Sequence, residues 1–105
     1  MIRLKEQKPS FEQFLNGLLE TARERVPACD AATPWLSTGD GAVRAAILDE
    51  FKRRVEKQYG TELVVEPDLI SLDRPLESIA VQLYHVFSTV HLMERINAKI
   101  RSRLH

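Results

Sequence analysis

Cys29, His85, His91 and Glu94 are the side chains of this chain best suited to nucleophilic or metal chemistry, and their spacing argues against both. His85 and His91 stand six apart, which on a helix turns them to different sides, so they cannot share one ion. There is no His-x-x-x-His pair, and Cys29 has no second cysteine with which to build a zinc knuckle. His91 and Glu94 share a face at i, i+3, but this is half a site. Carboxylate-bridged centres in helical bundles draw on several acids and imidazoles. The expected role of His91 is a hydrogen-bonded histidine at the core margin. A cysteine nucleophile needs a base beside it and a depressed pKa. The flanking Ala28, Asp30, Ala31 and Ala32 supply no cation, and Asp30 works in the wrong direction, so Cys29 reads as an inert thiol.

Phosphate chemistry fares no better. Ser37-Thr38-Gly39-Asp40-Gly41 is the nearest approach to a glycine-rich loop, but Asp40 would repel a phosphate and no lysine follows the glycines. A turn leading into a helix cap is the better account. Glu20, Glu24, Asp49 and Glu50 fall on outward helix faces, where nothing desolvates them into an acid/base pair. The reading is therefore a non-enzyme, with no catalytic residue, no metal site and no cofactor.

Charge narrows the partners. Lys plus Arg equals Asp plus Glu, for a net charge of zero, so no global field favours nucleic acid or an anionic membrane. The distribution is uneven, however. Residues 61–77 carry Glu62, Glu66, Asp68, Asp73 and Glu77 against Arg74, while residues 78–105 carry Arg95, Lys99, Arg101 and Arg103 against Glu94. An acidic connector and a basic tail can meet within one chain or between two. Arg44, Lys52, Arg53, Arg54 and Lys57 give a second basic cast to residues 41–59, which makes a nucleic-acid-binding regulator the main alternative function. Against it, the connectors between helices are too long for a helix-turn-helix, and cations in a last helical turn serve the helix dipole. The longest uncharged stretch, residues 78–93, contains Gln82, His85, Ser88, Thr89 and His91 and is shorter than the roughly 20 apolar residues a bilayer demands. A lone cysteine and an N-terminus without an apolar run lead to a cytoplasmic expectation.

The elements that position these groups follow from periodicity. Ser10 with Gln13 is a capping-box signal, and Phe11, Phe14, Leu15, Leu18, Leu19, Ala22 and Val26 recur at helical spacing until Pro27 ends the run. Gly17 inside it suggests a close approach between helices. Thr33-Pro34 is placed to start a short turn burying Trp35 and Leu36. Asp40 caps a second helix lined by Val43, Ala46, Ile47, Phe51, Val55 and Tyr59, which Gly60 closes. Leu63-Val64-Val65 reads as extended, with Ile2-Arg3-Leu4 as its available mate for a minor two-stranded β-ribbon. Asp73 is the expected cap of the last helix, with Pro75 in its first turn. The expected fold is all-α, one domain over residues 1–105. It is a three-helix bundle with helices at about 10–26, 41–59 and 74–104, the first two antiparallel on the first half of the third. Phe11, Phe14, Leu15, Leu18, Ile47, Phe51, Leu83, Val86 and Phe87 form its core.

The last helix carries the functional argument. Leu76, Ile79, Leu83, Val86, Val90, Met93, Asn97, Ile100 and Leu104 keep the a/d spacing of a heptad for about four repeats. Such a helix is roughly 44 Å long, whereas a compact chain of this length has a radius of gyration of about 13 Å. The body cannot cover the seam. We therefore expect a small protein-interaction module (an adaptor, inhibitor, immunity-type or chaperone-like subunit) that buries the far seam against a second copy, as a homodimer, or against a larger protein. Met93, Ile96, Asn97, Ile100 and Leu104 are the expected contact residues, with Asn97 setting register as a coiled-coil asparagine does. Arg95, Lys99, Arg101 and Arg103 form an electrostatic rim.

Overall fold

The computed structural model describes residues 8–103, with side chains from 8 to 101. It is all-α, with three helices: α1 at Phe11–Arg23, α2 at Gly41–Tyr59 and α3 at Leu76–Arg103. Short 3₁₀ turns at Trp35–Ser37 and Pro67–Leu69 interrupt the two connectors.

Local chemistry sets the helix ends. The Ser10 hydroxyl accepts from Gln13 N at 3.2 Å while the Gln13 side chain accepts from Ser10 N at 3.0 Å, a complete capping box. Helix α1 stops at Arg23, short of residue 26, and closes with Val26 N donating to Ala22 O at 2.8 Å. Pro27 disfavours helical geometry at Val26, so the run ends in a tight turn. Asp40 Oδ1 accepts from Val43 N at 2.9 Å to open α2, and Gly60, at φ 72°, closes it in the left-handed conformation.

The start of α3 departs from expectation. Asp73 is not its cap; the helix begins at Leu76, two residues beyond the expected start. The connector between α1 and α2 supplies the acceptors instead: Leu76 N donates to Thr33 O and Glu77 N to Ala31 O, both at 2.9 Å. Trp35 N returns a bond to Arg74 O, and Leu36 N one to Leu72 O, each at 2.8 Å. Backbone from another segment thus satisfies the orphan donors of the helix. This clasp is an isolated antiparallel bridge between Pro34 and Pro75, and it is the β-type pairing among the described residues. The expected ribbon is not formed. Leu63 is buried, Val64 exposed and Val65 half-buried, an extended segment without a ladder, while Ile2–Leu4 lies outside the described residues.

Packing is led by aromatic rings. Phe14 on α1 meets Phe51 on α2 at 5.0 Å and Tyr84 and Phe87 on α3 at 5.2 and 5.5 Å between centroids. Tyr59 meets Phe87 at 5.6 Å. Phe14 and Gly17 meet Phe51, and Thr21 and Glu24 take Arg54, so α1 packs on α2 along its length. Phe14, Leu18, Ile47, Phe51, Leu83 and Phe87 are buried as expected, while Phe11, Leu15 and Val86 pack at the margin. Trp35 is buried, but Leu36 beside it is exposed. Cys29, Thr38, Thr61, Leu63 and Ile70 also reach the interior, so both connectors contribute to the core.

Candidate interaction surface

His91 and Cys29 occupy structural positions. The His91 ring stacks on Phe87 at 5.5 Å, and its Nδ1 lies 2.9 Å from the Thr61 hydroxyl, which is fully buried. Glu94 Oε2 lies 3.4 Å from the same hydroxyl. The two side chains that share a face therefore pin the connector after α2 onto α3. His85 is exposed, away from them. Among the described residues, no group of three or more His, Cys, Asp or Glu is placed to hold a metal ion.

Cys29 is 3% exposed, and burial pushes its thiol pKa up, against the opposing pull of Arg23. That cation was not visible in the flanking residues: Arg23 reaches back from the end of α1, and its Nε donates to Cys29 O at 2.9 Å. Burial wins, and the thiol stays protonated. The loop before α2 is a turn and cap, with Gly39 at φ 89° and Asp40 on Val43 N.

The basic face of α2 is partly engaged. Arg44 Nη1 donates to Gly39 O at 2.8 Å, and Arg53 pairs with Glu50 at 3.3 Å. Arg54 crosses to α1, where it bonds Glu24 at 2.8 Å and the buried Thr21 hydroxyl at 3.2 Å. The guanidinium beside Glu24 holds that carboxyl below the usual carboxylate range.

Helix α3 carries Val81, Leu92, Met93, Ile96 and Ile100 among the exposed large hydrophobic residues. Its first half is buried through Leu76, Ile79, Ala80, Leu83 and Phe87, but from Leu92 to Arg101 every residue is exposed. The radius of gyration is 15.2 Å and the longest axis 51 Å, against roughly 13 Å for a compact chain of this size. Heptad spacing on an uncoiled helix drifts by about 20° per repeat. That drift reaches only about 40° over two repeats, so Met93 and Ile100 are exposed because the helix has passed the end of the core, where all of its sides face outward. Leu92, Met93, Ile96 and Ile100 are 58, 54, 42 and 51% exposed, and Asn97 is exposed beside them. Arg95, Lys99 and Arg101 occupy the remaining sides of the same turns, and Arg103 lies on the last turn of the helix. Leu104 falls outside the described residues.

A second group was not anticipated. Leu36, Leu69 and Leu72, on the two connectors near the start of α3, are 58, 69 and 45% exposed. They adjoin an open groove of about 360 Å³ lined by Trp35, Arg44, Leu48, Asp68, Ile70 and Leu72. Val81, on the outward side of α3, is 55% exposed, and neighbouring Gln82 donates to Leu69 O at 3.5 Å. Their signal in the sequence was the run of leucines between acids in residues 66–73, which periodicity alone did not assign to either face. No protein-family model, curated protein or solved structure matches the chain. No helix among the described residues is long and apolar enough to cross a membrane.

Proposed function

We propose that this chain is a non-enzymatic interaction module that associates with a second copy of itself through the overhanging half of α3. The observation that carries the reading is the exposure of Leu92, Met93, Ile96 and Ile100 on a helix that has left its own globule. With Val81 on the same side of α3 and Leu69 bonded to it through Gln82, the row continues into a longer apolar face of the kind that marks a contact site.

Magnitudes set the strength. Full burial of such a side chain contributes about 1.5–3 kcal/mol. Covering the exposed half of each in a symmetric pair gives roughly 6–12 kcal/mol, comparable with the 4–15 kcal/mol that association costs. The stripe alone holds a weak, reversible pair. Arg95, Lys99, Arg101 and Arg103 act on orientation and encounter rate more than on affinity. An adaptor, inhibitor or chaperone-like subunit would use the same face.

Ile100→Asp tests the reading. Ile100 is exposed, so helix content and melting should hold within about 0.5 kcal/mol, while the elution position shifts to that of a monomer. Unchanged association would remove this stripe as the contact. Binding to generic DNA with a steep salt dependence would instead favour a nucleic-acid role. Engagement of Arg44, Arg53 and Arg54 with groups of their own chain speaks against that outcome.

A further inference from the structure

We propose that the two copies pair antiparallel along α3, so that the basic tail of each lies on the acidic, leucine-bearing head of the other. This rests on the self-association proposed above and names the surface that receives the tail.

Area is the first argument. The overhang from Leu92 to Arg103 is about 18 Å long and a helix about 10 Å across, so its stripe covers roughly 200 Å². A stable interface needs about 800 Å² per partner. A tail-to-tail contact falls well short. The outward side of α3 offers more. At about 100° per residue, Val81, His85, Leu92, Ile96 and Ile100 fall within an arc of roughly 100°, on the side away from Leu83 and Phe87. Leu69 joins this face through Gln82. An antiparallel pair uses the whole face at once.

Charge is the second argument. Parallel tails would bring the cations Arg95 and Lys99 close to their own copies, with Glu94 as the acid among them. Antiparallel tails meet Glu66, Asp68, Asp73 and Glu77, among which stand Arg44 and Arg74. The tail cannot reach this head within its own molecule. The head sits at the start of α3, and an unbroken helix of 28 residues, about 42 Å long, separates the two ends. A second copy is the occupant that the charges and the distance select.

Pairing Val81 with Ile96 of the other copy sets Glu77 beside Lys99 and places the two-fold axis near Ser88 and Thr89. Asn97 lies about 60° round the helix from Ile100, at the edge of this contact rather than facing its mate.

Disulfide trapping decides the arrangement. In a Cys29→Ala background, with circular dichroism confirming helix content, Val81→Cys/Ile96→Cys should form a covalent dimer under mild oxidation. Ile96→Cys alone should not, since its two sulfurs would stand about 20 Å apart. As a second reading, Lys99→Glu should weaken association at least tenfold, and adding Glu77→Lys should restore it. Ready crosslinking of Ile96→Cys alone would overturn the antiparallel arrangement and leave the self-association reading standing. A dimer that neither cysteine variant traps would do the same. A monomer at every concentration would end both.

Discussion

Phe87 is the residue on which the three helices depend. Its ring touches Phe14, Tyr59, Tyr84 and His91, and it is fully buried. Phe87→Ala should cost about 3–5 kcal/mol, a large share of the 5–15 kcal/mol typical of a small domain, read as the loss of denaturant midpoint. Gly17 goes the other way. A Cβ there would stand 3.5 Å from Phe51, an ordinary contact, so the close approach inferred from a glycine in a helix leaves room for alanine. Gly17→Ala should therefore stabilise by about 0.5–1 kcal/mol through helix propensity. Glu24 titrates below its unfolded value because Arg54 bonds it, so their pair stabilises above the usual carboxylate range and is lost as pH falls through the lowered value. Arg54→Gln should flatten the acid limb of a stability-versus-pH curve. Cys29 has the opposite sign: its raised pKa favours the fold below about 8.5, and that contribution disappears as pH rises through the raised value. A thiol reagent at neutral pH should label Cys29 only as fast as the protein unfolds.

At the scale of elements, what could be read from the chain was whatever neighbours in sequence decide. The Ser10–Gln13 box, the Asp40 cap and the Gly60 stop each act within four residues, and all three stand where spacing put them. Asp40→Ala should cost about 1 kcal/mol, measurable as a lowered melting temperature with α2 still formed. The start of α3 was illegible for the converse reason: its donors are satisfied by Thr33 and Ala31, more than forty residues back. Local rules nominated Asp73 because no local rule can see a clasp between two connectors. The ribbon failed in the same way, since Leu63–Val65 has strand-like residues and alternation but no ladder. Extended backbone needs a neighbour, and the core took Leu63 on its own.

At the scale of the molecule, length arithmetic carried further than any motif. A helix longer than its globule had to overhang, and the 51 Å axis and the exposed run from Leu92 to Arg101 show that it does. The direction of the stripe was less legible. Heptad notation treats a and d as one seam and does not say where the core beside it ends; from Leu92 to Arg101 every side of the helix is exposed, seam and flank alike. The acidic head with Leu36, Leu69 and Leu72 was visible as charge but not as surface, because their burial depends on how the connectors fold across α2. Tail and head together make the molecule polar end to end, with an apolar strip between the ends. Raising ionic strength should weaken a pair built on that polarity, since contacts between exposed charges are screened beyond about 10 Å at 0.1 M salt.

The most direct measurement is the mass in solution, by light scattering, as the concentration rises from about 1 to 100 µM, the range over which weak interfaces fill. The account predicts a rise from 12.0 kDa toward twice that value in moderate salt, abolished by Ile100→Asp. A mass fixed at 12.0 kDa across the whole range would contradict it.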